Sequence, residues 1–134
     1  MIIIDRRFTL WTIVILVILL DQLTKSLAQK YFTVVCNQNF AFGIGTNATL
    51  VTLIVVAIVF WLLAHEKRLA TAIGLTLIFS GGLSNIVDRV NFGCVRDFVS
   101  LLNFPSFNLA DSVITVGAII IIGSLVLMKD QQRI

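Results

Sequence analysis

The feature that most restricts this chain is the spacing of its charges. It leaves four predominantly apolar stretches with no charged side chain: Phe8 to Leu20, Tyr31 to Ala64 (apolar from about Ala48), Leu69 to Val87 and Ser112 to Met128. Crossing ~30 Å of hydrocarbon takes about 20 helical residues. The last three stretches reach that length directly or with one flanking turn. The first reaches it if Asp21 and Lys25 lie at its interfacial end. The pattern predicts transmembrane helices at about 8–27, 48–64, 69–88 and 109–128. A membrane barrel is excluded, because the run Ile119 to Ile122 would place apolar groups on both faces of a strand.

Composition agrees. Apolar residues make up 58% and charged residues 13% of the 134 residues, with a mean hydropathy of +1.02, whereas soluble domains lie near about 45–50% and about 25%. A soluble globule, a disordered chain, collagen and a coiled coil are all excluded. The expected fold is an all-α integral membrane protein of four helices, with residues 1–134 forming one membrane-embedded domain. Two cysteines cannot build a disulfide scaffold. Cys36 and Cys94 either pair in an oxidising compartment or stay as buried thiols, and free thiols are the expectation. Arg6-Arg7, an apolar run and Ser26-Leu27-Ala28 also resemble a cleavable signal peptide. Retention is expected, because Asp21 and Lys25 gain a role only if kept.

Basic residues set the orientation. Arg6, Arg7, Lys67, Arg68, Lys129 and Arg133 fall on one side, while the loop at 28–47 holds only Lys30 and that at 90–108 only Arg96. Both termini are therefore expected in the cytoplasm and both longer loops outside. Asp5, Glu66 and Asp130 then lie beside cytoplasmic cations. Asp21, Asp88, Asp97 and Asp111 gather at the outer surface with Arg89, Asn37, Asn39, Asn85 and Asn108.

Ionisable groups at membrane depth cost about 2.5–3.5 kcal/mol each and mark functional sites. Each has a plainer explanation. Asp111 could serve the α-helix dipole with Asn108 as N-cap. Asp88 could pair with Arg89 or another cation, Asp21 and Lys25 could form an i, i+4 pair, and Asp97 could be a loop charge beside Arg96. Their common level is what those explanations leave over. The one histidine, His65, lies on the cytoplasmic side, so Ser–His and Cys–His catalysis and a histidine zinc site are excluded outside. A Ser–Lys dyad of Lys25 with Ser26 or Ser84 is opposed by Asp21, which keeps Lys25 charged. Carboxylate chemistry remains: two close aspartates share a proton, one activates water and the other polarises or protonates the substrate.

At these residues the chain resembles the lipoprotein signal peptidase (signal peptidase II) family. Five segments carry the resemblance: Asp21-Gln-Leu-Thr-Lys25, Asn37-Gln-Asn-Phe-Ala-Phe42, Gly81-Gly-Leu-Ser-Asn-Ile-Val-Asp-Arg89, Gly93-Cys-Val-Arg-Asp-Phe98 and Phe107-Asn-Leu-Ala-Asp111. Each alone is weak, and together, in order and on the right helix ends, they are specific. The resemblance implies an aspartic endopeptidase of the bacterial cytoplasmic membrane. It would cleave diacylglyceryl-modified prolipoproteins just before the lipidated cysteine, at the extracytoplasmic face. Asp97 and Asp111 would be catalytic, with supporting roles for Asn37, Asn85, Asp88, Arg89, Asn108, Asp21 and Lys25. Asn85, Asn108 and Arg89 would bond the substrate backbone or hold an aspartate, and 37–42 would cover the site as part of a small β or loop element. Asn39 stands where the family usually has glycine, a change that asparagine's tolerance of left-handed backbone accommodates.

Expected partners are lipidated prolipoprotein signal peptides and membrane lipid, with no nucleic acid, metal or organic cofactor, and a monomer is expected. Plainer readings cover the remaining features. Gly74, Gly81, Gly82, Gly117 and Gly123 are expected at helix contacts, and Trp11 and Trp61 at the cytoplasmic interface. Phe32, Phe40, Phe42, Phe92, Phe98, Phe104 and Phe107 are expected in the headgroup zone. The rival functions are a small four-helix carrier using the same aspartates for ion or substrate binding, which should show midplane charges and a repeat, and a structural or chaperone-like subunit.

Overall fold

A computed structural model describes residues 5–38 and 48–131. Four helices dominate: α1 (Arg6–Tyr31), α2 (Ala48–His65), α3 (Leu69–Phe92) and α4 (Leu109–Gln131). Four short strands lie between them: β1 (Val35–Asn37), β2 (Val95–Asp97), β3 (Val99–Leu101) and β4 (Phe104–Phe107). All four helices are long and apolar enough to cross a membrane, as predicted, and the chain is a multi-pass membrane protein. The helices outrun the predicted spans where they are polar. α1 continues four residues past 27 and α3 four past 88, because helical hydrogen bonding does not stop where hydrocarbon does.

α3 is the hub. It packs against α1, α2 and α4, and most of it is buried, whereas the other three helices are largely exposed. Leu19, Ile119 and Trp61 are each 60% exposed or more. Such side chains would be a severe liability in water and are ordinary against lipid. Val14, Val56, Val59, Leu75, Phe79 and Ile86 form the apolar core around α3. The α3–α4 seam depends on missing side chains. A Cβ on Gly74 would lie 2.7 Å from the Gly117 carbonyl oxygen, and one on Gly117 2.6 Å from that of Gly74. Gly81 is crowded in the same way by the Ala110 carbonyl oxygen and Gly82 by Val56. Gly123 has open space around it, so the expectation of a helix contact there is corrected. Gly117→Ala should therefore force the backbones apart and cost about 1–3 kcal/mol, while Gly123→Ala is neutral or slightly stabilising. Chemical denaturation of the two variants in one detergent checks the contrast.

One end of the bundle is basic. Arg6 donates to the Glu66 and Lys67 carbonyl oxygens at 2.6 and 3.1 Å, tying the start of α1 to the α2–α3 connection. Trp61 and His65 stack there with ring centres 4.9 Å apart. The strands occupy the opposite end. α3 stops at Gly93, which sits at φ 72° and returns its N–H to the Arg89 carbonyl oxygen. A Cβ there would meet nothing, so the left-handed backbone alone asks for glycine. β2 follows and pairs antiparallel with β1 in the register Val35–Asp97, Cys36–Arg96 and Asn37–Val95. β3 and β4 form a hairpin, turning at Leu102-Asn103 with Asn103 at φ 64°. These two small sheets are the β element expected beside the helices.

Cys36 and Cys94 are joined by a disulfide, with Cα atoms 5.4 Å apart. This corrects the expectation of free thiols. The pairing of β1 with β2 brings together two cysteines that are 58 residues apart in sequence.

Candidate active site

The start of α4 organises the site. Asn108 precedes its first residue, and Asp111 occupies the third helical position. The Asp111 N–H donates to Asn108 Oδ1 at 3.0 Å, and the Asn108 N–H donates to Asp111 Oδ2 at 3.2 Å. This is a reciprocal capping box. The Ala110 N–H, another donor that the helix cannot use, goes to Asp21 Oδ1 at 2.8 Å. The plain explanation of Asp111 and Asn108 as helix-capping groups is thus correct, and it is also incomplete.

The Asn108 amide nitrogen still reaches across the loop. It donates to Asp97 Oδ1 at 2.7 Å and to Asn85 Oδ1 at 3.2 Å. Asn85 in turn donates to Asp111 Oδ1 at 3.0 Å, and Asn37 donates to Asp97 Oδ2 at 3.1 Å. Asp97 and Asp111, distant in sequence, are therefore bound to the same asparagine. Asn85 and Asn108 thus each bond an aspartate. Asp97 is 1% exposed. Burial pushes its carboxyl up to about 6, the Asp111 charge acts in the same direction, and the Asn37 and Asn108 amides oppose both.

Both aspartates line a cavity of about 790 Å³. Its walls come from α2 (Thr52), α3 (Gly82, Asn85 and Arg89) and α4 (Asp111, Ser112, Ile114 and Thr115), and the hairpin residues Phe104 to Phe107 close it at the loop end. Phe104 and Phe107 meet edge to face there, 5.8 Å between ring centres, so they border this cavity rather than serving only the headgroup zone. Arg89 reaches Thr52 Oγ1 on α2 at 3.2 Å. Thr52 was not singled out in the sequence; a threonine within an apolar span facing α3 is the signal that could have found it.

Behind the aspartates lies a second, fully buried polar cluster. Lys25 Nζ is 2.6 Å from Asp21, 3.1 Å from Asp88 and 3.0 Å from Asn85 Oδ1. The i, i+4 pair is real, and it is one edge of a larger network. Asp88 pairs with Lys25 and with Arg96, the latter at 2.8 Å, and its Oδ2 accepts the Arg96 backbone N–H at 2.9 Å. Arg96 also donates to Gln22 and Gln29 on α1 and stacks on Phe92. Two cations and two carboxylates thus balance, all four of them buried. Ser84 donates to Asp21 at 2.6 Å, so it is no nucleophile for Lys25. Arg96 and Gln22 were missed by the sequence reading. On a strand, alternate residues face opposite ways, and with Asp97 facing the cavity, Arg96 had to face α1.

Eight of the nine predicted site residues therefore share one bonded network: Asp97, Asp111, Asn108, Asn85, Lys25, Asp21, Asp88 and Asn37. Asn37 joins it through Asp97, and Arg89 borders the same cavity. Asn39, Phe40, Phe42 and the proposed cover over the site beyond Gln38 lie outside the described residues.

The chain matches the family model described as signal peptidase (SPase) II over residues 13–127. It is 36% identical to the lipoprotein signal peptidase of Caldanaerobacter subterraneus subsp. tengcongensis, over 87% of this chain and 94% of that one. It is 34% identical to the lipoprotein signal peptidase of Geobacter metallireducens, over 96% and 94% respectively. Among solved structures, a bacterial membrane enzyme determined by the in meso method at 2.3 Å superposes with a TM-score of 0.79 and 27% identity, covering 93% of this chain and 90% of that one.

Proposed function

The chain belongs to the signal peptidase II family, and from that premise we propose that it is an intramembrane aspartic endopeptidase that removes signal peptides from diacylglyceryl-modified prolipoproteins. The observation that carries this reading is the single asparagine, Asn108, bonded to both Asp97 and Asp111, two aspartates that line one largely apolar cavity. In the proposed mechanism the pair holds one water and shares one proton. One carboxylate takes a proton as the water oxygen attacks the carbonyl carbon of the residue before the lipidated cysteine. The other, protonated, donates to the carbonyl oxygen. Collapse of the tetrahedral intermediate breaks the C–N bond, and the cysteine nitrogen leaves as an amine carrying a proton from the pair. Burial makes this geometry effective, since charge developing in a dry site is stabilised only by groups already in place.

The basic end, with Arg6, Arg7, Lys67, Arg68 and Lys129, would face the cytoplasm, and the strands and aspartates the outside. A disulfide at the strand end supports that orientation, because disulfides persist in oxidising compartments. An apolar signal peptide would then reach the cavity from within the bilayer.

The test is a purified-protein assay with a synthetic peptide carrying S-diacylglyceryl cysteine. The expected products are a signal peptide ending just before that cysteine and a lipidated fragment with a free cysteine amine. Cleavage at another bond, or none by folded protein, would reject the reading. The rate should fall as pH rises through about 6, because Asp97 loses there, beside an already charged Asp111, the one proton that the pair shares. Stability should move the same way. Asp97 binds its proton more tightly folded than unfolded, so the fold gains stability as pH falls from about 6 towards 3.8. Asp97→Asn should erase that gain, on the order of 2 kcal/mol, in denaturation curves taken at pH 7 and pH 4.5.

A further inference from the structure

β1 is too small to hold itself in place. It has three residues, in a two-stranded sheet with β2, and two such strands are marginal without further support. Its ladder also spans a long loop, since Cys36 and Cys94 are 58 residues apart, and closing that loop costs chain entropy. Yet β1 carries Asn37, whose amide donates to Asp97 Oδ2 at 3.1 Å. The disulfide sits one residue before Asn37 on one strand and three before Asp97 on the other. We infer that the Cys36–Cys94 cystine is a positioning element for the aspartate pair: it keeps Asn37 on Asp97, so that turnover depends on the oxidised bond. The inference rests on the peptidase reading above.

The two ends of the bond are unequally placed. Cys94 is 3% exposed and lies just past Gly93, between α3 and β2, while Cys36 is exposed. A reductant can therefore reach the bond, and when it opens the side that moves is β1. The Asp97 carboxyl keeps its other partner, Asn108, so the site is loosened rather than dismantled. The charged groups that act on Asp97 or are acted on by it, Asp111 on α4, Lys25 on α1 and Arg89 on α3, lie on helices that the cystine does not tether directly. What is lost is one amide bond to a carboxylate. That predicts a fall in kcat of about tenfold and a rise of the alkaline limb of the pH–rate profile by about 1 unit.

The assay compares the full-length enzyme oxidised and after treatment with a phosphine reductant, with alkylation and mass measurement confirming two thiols per chain. The substrate sulfur carries its lipid as a thioether and is untouched by the reductant. The same comparison is made on Asn37→Ala and on Cys36→Ser/Cys94→Ser. Support is a reversible loss of kcat with a raised alkaline limb in the reduced enzyme, the same profile in the double serine variant whether or not reductant is present, and no further loss when Asn37→Ala is reduced. Unchanged kcat and pH profile with both thiols alkylated would overturn the inference and leave the peptidase reading intact. So would reduction losses that add fully to those of Asn37→Ala, the signature of a purely structural crosslink. An oxidised enzyme that fails to cleave the lipidated peptide overturns the peptidase reading, and this inference with it.

Discussion

Asp111→Asn is expected to lower cleavage of the lipidated peptide by at least about 10³-fold while leaving the protein inserted and folded. The two effects separate because Asp111 has two jobs. As a capping residue it accepts from the Asn108 N–H and from Asn85, and asparagine keeps one accepting oxygen. The structural loss is therefore one hydrogen bond, about 1 kcal/mol. As half of a proton-sharing pair it cannot be replaced, because an amide neither takes a proton from water nor gives one to a carbonyl. Asp97→Asn should behave alike, since asparagine can still accept from Asn108. Asp5→Asn is the control. The Asp5 side chain accepts from the Arg7 N–H at the start of α1, and asparagine caps about as well. Turnover and thermal unfolding measured on the three variants in the same detergent decide the matter. Retained turnover in either site variant removes the proposed mechanism.

The largest stability effect is expected from Lys25→Met. Lys25 is fully buried between Asp21 and Asp88. Methionine fills much of the same space but leaves the two carboxylates with Arg96 as their remaining cation, at Asp88. Removing one partner of a buried pair costs about 3–5 kcal/mol, several times the value of an exposed pair. The Glu66–Arg68 bridge is the comparison: Arg68 is well exposed, so Arg68→Met should cost far less. The Lys25→Met/Asp21→Asn double variant should cost less than the sum of its singles, because the second change removes a charge that the first left stranded. Additive losses in equilibrium denaturation would mean that the cluster is not one coupled unit. Activity should fall as well, since Lys25 also donates to Asn85, the residue that holds Asp111.

Much of this was legible in the chain. The four spans follow from where charge is absent, and the seam glycines Gly74, Gly81 and Gly117 from the need for close backbone approach. The common level of Asp21, Asp88, Asp97 and Asp111 could be read because each falls at a helix end or loop on one side of the bundle. What could not be read is who bonds to whom. Asp88 stands beside Arg89 in sequence, yet on a helix adjacent residues diverge by about 100°, and its cations prove to be Lys25 and Arg96. Arg96 looked like a loop charge because the turn of β2 that sends it towards α1 is set by a pairing with β1, distant in sequence. The same pairing joins Cys36 to Cys94. Helix ends were understated for α1 and α3 because hydropathy marks the width of hydrocarbon, not the end of a hydrogen-bonded backbone.

The central claim is that Asp97 and Asp111 act together on one oxygen. A lipidated peptide in which the scissile amide is replaced by a hydroxyl-bearing isostere resembles the tetrahedral intermediate and should bind more tightly than substrate. The deciding measurement is the structure of that complex. The hydroxyl oxygen is expected within about 2.5–3.2 Å of a carboxylate oxygen of each aspartate, with the lipid chains directed between helices. A hydroxyl bound to one of the two alone, or held elsewhere in the cavity by Arg89 or Thr52, would contradict it.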